Sequence, residues 1–376
     1  MSILDQNSDI HARLAAAEAA LQAVGQRIDP ILSQLDIAVL VPCYNEAGTI
    51  GEVVRNFRTA LPNARVYVYD NNSHDNTPVM ARNAGAIVRR EPLQGKGFVV
   101  RRMFSDIEAD VYLMVDGDGT YDAAAAPRLV SRLIECQADM VVGGRITREK
   151  AAYRSGHRFG NWALTSLVSW IFGDRFTDML SGYRAFSRRF VKSYPALASG
   201  FETETELTVH ALELGMITTE VQTSYAARPA GSVSKLNTVR DGARILMTIA
   251  RLVRDERPMA FFGALAMAGF VAAGVIGVPV VLEYLDTGLV PRLPTALVAG
   301  LLTVLSAVCL VSGVILETVS LGRRELKRLA YNQVESLAAK LERLTDTRQV
   351  LGSLQARALP EMPASEAPGL KRARAN

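Results

Sequence analysis

The spacing of apolar positions divides this chain into regions of different period. His11–Ile28 is alanine-rich with apolar residues recurring on one helical face, and Pro30 ends the predicted helix. From Ile37 onward, short β-branched and aromatic runs alternate with segments of helix length: Ile37–Val41, Val66–Tyr69, Ala86–Val88, Val111–Val115 and Met140–Val142. Near-continuous apolar strands separated by helices predict an α/β domain whose parallel sheet is covered on both faces.

Two later segments, Met259–Leu282 and Thr295–Leu316, contain no charged residue. Each is longer than the roughly 20 residues that a helix needs to cross a bilayer, so we predict two transmembrane helices in a hairpin. A pair of buried core helices is the alternative. Small residues recur every fourth position of the first segment and would allow close packing, at Gly269, Ala273 and Gly277.

Basic residues flank the two apolar segments unequally. Arg251, Arg254 and Arg257 precede the first segment, and Arg323, Arg324, Lys327 and Arg328 follow the second. The link between them has only Arg292 beside Glu283 and Asp286. The positive-inside rule therefore predicts that both large flanks are cytoplasmic.

These patterns divide the chain into five predicted regions. They are an N-terminal helix (1–35), an α/β domain (36–236), an amphipathic juxtamembrane helix (237–257), the hairpin (258–317), and a helical cytoplasmic tail with a disordered end (318–376). Val239–Val253 is basic and amphipathic, which suits the membrane interface. Trp162–Phe172 fits either the interface or the core.

Composition narrows the compartment and the partners. The 376-residue chain has a net charge of only +4, which disfavours a nucleic-acid-binding role for the whole chain. Three cysteines, Cys43, Cys136 and Cys309, form no disulfide framework and suit a reducing compartment. The N-terminus has no pattern of a cleaved signal peptide, so we expect none.

Polar clusters follow three of the predicted strands: Pro42–Glu46, Asp70–Thr77 and Asp116–Asp122. Ligands of such sheets bind at the carboxyl ends of the strands. Asp116 and Asp118 could share a hard divalent cation, which would neutralise the charge of a departing diphosphate. A simple polar turn is the alternative. Gly95-Lys96-Gly97 lacks the third glycine of a dinucleotide fingerprint, but Lys96 is a candidate phosphate contact.

Taken as a set, these motifs resemble the family-2 glycosyltransferases. The matching segments are Val41-Pro42-Cys43-Tyr44-Asn45-Glu46, Asp70-Asn71-Asn72-Ser73 with Asp75 and Thr77, Gly95-Lys96-Gly97, and Asp116-Gly117-Asp118. Three further segments resemble the polyprenyl-phosphate branch, which includes dolichol-phosphate mannose synthases and GtrB-type glucosyltransferases: Gly143-Gly144-Arg145, Asp178–Arg184 and Arg228–Lys235. The resemblance covers about Ile37 to Leu321.

The resemblance implies a Rossmann-like nucleotide-sugar-binding (GT-A) domain and assigns roles by position. Pro42, Tyr44, Glu46 and Asp70 would hold the base and ribose, with Lys96 and Asp116 completing the donor site. Asp116 and Asp118 would bind Mg²⁺ or Mn²⁺. The acceptor phosphate would face Arg145, Ser181, Arg184 and Lys235. Asp118, Arg145 and Arg184 would be catalytic, although Arg184 could instead be a structural cation paired with Asp178.

The expected reaction is an inverting transfer from a nucleotide-sugar, such as UDP-glucose, to polyprenyl phosphate at the cytoplasmic face of a bacterial membrane. A GDP-mannose-dependent enzyme and a non-catalytic nucleotide-sugar-binding scaffold are the alternatives, and a homo-oligomer is left open. Neither Trp162 nor Trp170 lies in the Gln-x-x-Arg-Trp segment of polymer-forming synthases, which argues against that activity.

Overall fold

The computed structural model describes residues 34–146, 178–196, 203–226, 251, 253–255 and 257–346. Several predictions fall outside these residues: almost all of the N-terminal helix, Trp162–Phe172, Lys235 with the rest of its segment, most of the juxtamembrane helix, and the end of the tail.

A seven-stranded sheet forms the centre of the α/β domain, in the order β3-β2-β1-β4-β6-β5-β7. Its strands are β1 (Ile37–Cys43), β2 (Arg65–Asp70), β3 (Ile87–Arg90), β4 (Val111–Met114), β5 (Met140–Ile146), β6 (Arg184–Ser187) and β7 (Thr218–Ser224). The helices of the domain are α1 (Ile50–Ala60), α2 (Thr77–Asn83), α3 (Lys96–Asp106), α4 (Ala126–Glu135), α5 (Arg188–Ser193) and α6 (Thr203–Glu213).

The sheet is mixed, so the predicted purely parallel sheet is wrong in one respect. β1 pairs in parallel with β2 and β4, and β5 pairs in parallel with β7. β6 lies antiparallel between β4 and β5. Only four residues long and beginning with Arg184, β6 has no apolar run by which the sequence could reveal a central strand.

Helices cover both faces of the sheet, as predicted. Alternate residues of β1 point to opposite faces, and every one of its residues is buried. Val39 and Val41 lie in one core with Leu113 and the apolar face of α1, while Leu40 lies in the other with Tyr112 and Phe186. This double burial fixes the strand ends at whose carboxyl edge the polar loops begin.

Two long helices, α7 (Pro258–Thr287) and α8 (Leu293–Gln333), pack against each other. Their most apolar windows have mean hydropathies of 2.3 and 2.4 and are only 17% buried, so length and composition make them candidate membrane spans. The buried residues of the seam recur mostly every seven positions: Ala266, Ala273 and Val280 on α7, and Ala299, Ser306 and Gly313 on α8. A side chain at Gly269 would collide with Ser306, so the small-residue stripe does face the partner helix.

Residues 321–346, here called the α8 extension, reach back to the α/β domain. Lys327 Nζ lies 2.5 Å from Glu213 at the end of α6. Tyr331 donates a hydrogen bond of 2.9 Å to Asp139, just before β5. After a break, residues 337–346 form a last helix, α9, in which Lys340 pairs with Asp110, just before β4. The extension therefore packs along the amino ends of the strands, opposite the edge that carries the polar clusters.

Candidate active site

Three polar loops meet at the carboxyl ends of adjacent strands β2, β1 and β4. The loops after β1 and β2 are joined by backbone donors: Asn45 N–H to Ser73 Oγ (2.9 Å), Glu46 N–H to Thr77 Oγ1 (2.8 Å) and Ala47 N–H to Asp75 Oδ2 (3.1 Å). The structure thus brings together residues that the sequence places about 30 positions apart, and gives Asp75 and Thr77 a structural role.

Asn71 connects the β2 loop to the start of α3. Its amide nitrogen donates to the carbonyls of Glu91 (3.0 Å) and Leu93 (2.6 Å), and its Oδ1 accepts from Gly95 N–H (2.7 Å). Gly95 has a φ of 141°, which side chains rarely allow. This turn delivers Lys96, the first residue of α3, to the acidic loop after β4.

Lys96 forms a short bridge between two carboxylates. Its Nζ lies 2.5 Å from Asp116 Oδ1 and 2.5 Å from Glu204 Oε1. The side chains of Lys96 and Glu204 are 14% and 8% exposed, and that of Asp116 is 29% exposed. Burial alone would lower the pKa of Lys96, but the charges of Asp116 and Glu204 raise it above its usual value.

Glu204 is a site residue that the sequence analysis missed. It lies in the first turn of α6, more than a hundred residues beyond Lys96. The one available signal was the alternating acidic run Glu202, Glu204 and Glu206, which suggests nothing but a solvated helix start.

Asp116-Gly117-Asp118 forms a tight turn that packs against Glu46. A side chain at position 117 would collide with the Glu46 carboxylate and the Cys43 sulfur, so glycine is required there. Asp118 Oδ1 accepts hydrogen bonds from Thr120 N–H (3.2 Å) and Thr120 Oγ1 (2.6 Å). Burial, together with the charges of Asp116 and Asp118, raises the pKa of Glu46 to about 8.

The donor set suits a divalent cation that arrives with a diphosphate. Within the described residues, no group of three or more His, Cys, Asp or Glu side chains could hold a metal alone. Asp116 and Asp118 nevertheless offer hard oxygen ligands, and the buried Oε2 of Glu46 lies beside their turn, next to the Cys43 thiol. Mg²⁺ and Mn²⁺ accept such sets, with phosphate oxygens and water as the other ligands.

The predicted base and ribose side of the site lies over β1 and β2. Asp70 is 5% exposed, and its Oδ1 is buried without a hydrogen-bond partner among the described residues. A buried acceptor without a donor is uncommon and marks a place where a ligand can supply one. Tyr44 is half-buried, with its ring at 74° to that of His74, whereas Pro42 is buried inside β1.

Arg145 extends from the end of β5 and is held by Asp178. Its Nε and Nη2 donate to the two carboxylate oxygens of Asp178 at 2.6 and 2.8 Å, and its guanidinium lies 5.4 Å from the centre of the Tyr225 ring. The bidentate pair fixes the arginine plane. The proposed pairing of Asp178 with Arg184 is therefore wrong, because Asp178 binds Arg145 instead.

Arg184 lies beneath the site and is fully buried. It donates to the carbonyls of Ser181 (2.9 Å) and Met179 and to Thr208 Oγ1 (2.8 Å). Ser181 is also fully buried and donates to Gly143 O at 2.6 Å. The expectation that Arg184 and Ser181 face a phosphate disagrees with this geometry, since a central strand between β4 and β5 is covered on both faces.

The mixed sheet, with its acidic loop at the carboxyl edge, defines a GT-A α/β domain. Comparison with a family model gives "Glycosyl transferase family 2" over residues 38–193. Protein RfbJ of Shigella flexneri is 56% identical over 124 residues, which cover 33% of this chain and 96% of that protein. A dolichyl-phosphate hexose transferase of Haloferax volcanii is 30% identical over 222 residues, covering 59% of this chain and 96% of that protein. The chain belongs to glycosyl transferase family 2.

A solved structure of similar fold is glucosyl-3-phosphoglycerate synthase from Mycobacterium tuberculosis in complex with Mn²⁺, UDP and phosphoglyceric acid. It has a TM-score of 0.50 and 24% sequence identity, and it covers 61% of this chain and 81% of that chain. At this identity the likeness supports the fold alone.

Proposed function

We propose that this protein transfers a hexose from a nucleotide-sugar, most simply UDP-glucose, to polyprenyl phosphate at the cytoplasmic face of a membrane, with inversion at the sugar. The proposal rests on one combination: a donor-type acidic site and two candidate membrane spans in a single chain. Similarity to the dolichyl-phosphate hexose transferase supports a lipid-phosphate acceptor.

Each side chain has a proposed part in binding. Asp116 and Asp118 would hold Mg²⁺ or Mn²⁺, which would stabilise the negative charge of the leaving diphosphate. Lys96 reaches the same phosphates. Asp70 accepts a hydrogen bond from the base or ribose, because its buried Oδ1 requires a donor.

Arg145 is the proposed contact of the acceptor phosphate. A phosphomonoester carries about −1.5 to −2 charges near pH 7, so the acceptor oxygen is already a nucleophile and needs no strong general base. Asp178 holds the guanidinium in one plane, which would orient it for paired hydrogen bonds to the acceptor phosphate. Arg184 would act indirectly, by supporting the loop that carries Asp178.

The hairpin would anchor the enzyme with the α/β domain in the cytoplasm and the link around Tyr284–Arg292 on the other side. The excess of arginine and lysine on the two outer flanks supports this orientation. Cysteines introduced into the link should react with a membrane-impermeant reagent only from the non-cytoplasmic side; labelling from the cytoplasm alone contradicts the orientation.

The direct test is a donor screen with the full chain in detergent, a polyprenyl phosphate, and UDP-glucose or GDP-mannose carrying labelled sugar. We expect label in the organic phase with the UDP-hexose and its loss in excess chelator. Transfer from GDP-mannose alone would reassign the donor, and binding of nucleotide-sugar without any transfer would support the scaffold alternative.

A further inference from the structure

The bridge made by Lys96 uses an oxygen that the proposed metal also needs. Lys96 Nζ lies 2.5 Å from Asp116 Oδ1, so the ammonium group occupies a ligand position of one of the two metal-binding carboxylates. A divalent cation and an ammonium cannot share that position closely, because like charges repel strongly in a partly buried site.

Glu204 provides the second position for the ammonium. Its Oε1 lies 2.5 Å from Lys96 Nζ, and it belongs to the first turn of α6, where a negative charge is favoured. Lys96 can therefore leave Asp116 and still keep a buried counter-charge, that of Glu204.

We propose that Glu204 is a positioning residue that controls competition between Lys96 and the divalent cation for Asp116. Without nucleotide, Lys96 bridges both carboxylates and weakens metal binding. When the metal arrives with the diphosphate, Lys96 shifts toward Glu204 and the phosphate oxygens. The inference rests on the proposed donor site, but not on the identity of the sugar or the acceptor.

The buried network around Arg184 holds the two ends of this bridge in register. Arg184 donates to Thr208 Oγ1, whose hydroxyl donates in turn to the Glu204 carbonyl at 2.9 Å. Arg184 also binds the carbonyl of Ser181, next to Gly182, and a side chain at Gly182 would collide with the Asp116 carboxylate. One buried arginine thus links the helix that carries Glu204 to the loop that packs on Asp116.

The proposal predicts opposite effects of two substitutions on Mn²⁺ binding in the absence of nucleotide. Lys96→Met removes the competing cation, so Mn²⁺ should bind about tenfold more tightly, the effect of one charge-assisted contact. Glu204→Gln leaves Lys96 with Asp116 as its only charged partner in the bridge, so Mn²⁺ should bind several-fold more weakly.

The double variant Lys96→Met/Glu204→Gln should bind Mn²⁺ like Lys96→Met, because Glu204 acts only through Lys96. It also guards against misfolding, since it leaves neither charge of the Lys96–Glu204 pair buried alone. Glu206→Gln is the matched control: it lies in the same turn of α6, but its carboxylate accepts from Tyr194 at 2.7 Å. Its Mn²⁺ affinity should equal that of the wild type.

The measurement is titration of the full chain in detergent with Mn²⁺, following the electron paramagnetic resonance signal of the free ion, with and without UDP. Wild-type affinity in Glu204→Gln, or effects of the same sign in both single variants, would overturn the Lys96 competition while leaving the proposed function standing. No Mn²⁺ binding by the wild type, even with UDP, would overturn the competition and the metal role together. Failure of the donor screen with the opposite Mn²⁺ effects intact would reject only the acceptor or donor assignment.

Discussion

The α/β domain and the hairpin use the same apolar residue types in opposite ways. In the domain, large side chains such as Leu113 and Phe186 are fully buried between sheet and helices. In the hairpin, the seam holds mainly small residues, while Leu301 and Val304 of α8 are 59% and 60% exposed. Exclusion of apolar surface from water drives the first arrangement, whereas the second is the arrangement expected of helices that lipid surrounds.

The candidate active site belongs to the α/β domain alone, so changes there should affect sugar transfer and leave the hairpin intact. Asp118→Ala should lower sugar transfer roughly 1000-fold or more, since the diphosphate charge loses a metal ligand. Thermal unfolding and membrane extraction should match the wild type. Asp122→Ala is the control: it lies on the same loop, but caps Ala124 N–H at 2.9 Å. Wild-type turnover in Asp118→Ala, or full activity in chelator, contradicts the metal role.

A matched pair of leucines tests the comparison directly. Leu113→Ala should reduce the free energy of unfolding of the α/β domain by about 2–5 kcal/mol, because it opens a cavity in the core. Leu301→Ala removes the same atoms from an exposed face of α8 and should leave that free energy within about 0.5 kcal/mol of the wild type. Denaturant unfolding, followed by far-ultraviolet circular dichroism, measures both free energies. Equal losses of stability in the two variants would mean that α8 is a core helix.

Arg184 is the exception inside the domain, a charged side chain where the comparison expects an apolar one. Burial lowers its pKa below the usual range, so the surrounding carbonyls and Thr208 are needed to keep it stable. Arg184→Ala should lower the free energy of unfolding by about 2–4 kcal/mol. It should impair the dependence of rate on the donor and on the acceptor equally.

The control for Arg184 is Arg188→Ala, whose exposed pair with Glu108 should contribute less than about 1 kcal/mol. A selective defect in the dependence of rate on polyprenyl phosphate, with unchanged melting, would return Arg184 to the acceptor phosphate.

The hairpin seam can be tested with two glycines of the same helix. Gly269→Val should separate α7 from α8, because its side chain would meet Ser306. The substitution should destabilise the packing of the two helices by about 1–3 kcal/mol. Gly274→Val meets nothing within 4 Å and should be tolerated. Disulfide formation between cysteines introduced across the seam at Gly277 and Ala299, where a Cβ on residue 277 would lie 3.3 Å from the Ala299 Cβ, reports the separation. Similar efficiency in both variants would show that the seam does not depend on small residues.

The smallest expected effect is on pH dependence and involves Glu46. Its pKa of about 8 exceeds the value of an ordinary glutamate, so the folded state binds a proton that the unfolded state has released between the two values. This contribution to stability is complete at acid pH and is lost as pH rises through about 8. In the presence of chelator, the melting temperature of the wild type should fall more between pH 6 and 8.5 than that of Glu46→Gln. Parallel curves would contradict the shift.

The parts of the fold that could be predicted are those marked by a pattern of residues within the segment itself. β1 and β4 are marked by unbroken apolar runs, and both lie within two residues of their predicted ends. β7 was missed because an edge strand with Thr218, Glu220 and Gln222 shows no apolar run. In the site, Lys96 and Asp116 could be named from their motifs, but Glu204 and the burial of Arg184 arise from long-range packing.

Successive residues of the α8 extension contact the sheet in the order of its strands. Moving away from the hairpin, Lys327, Tyr331 and Lys340 meet Glu213 before β7, Asp139 before β5, and Asp110 before β4. With the hairpin in the bilayer as proposed, β7 and β5 would lie nearest the membrane, and β1 and β2 would lie farther from it. In that orientation Arg145, the proposed contact of the lipid phosphate at the end of β5, would lie nearer the bilayer than Asp70, the proposed nucleoside contact at the end of β2. The contacts of α8 and α9 with the sheet would thus set the two proposed substrates at different distances from the membrane.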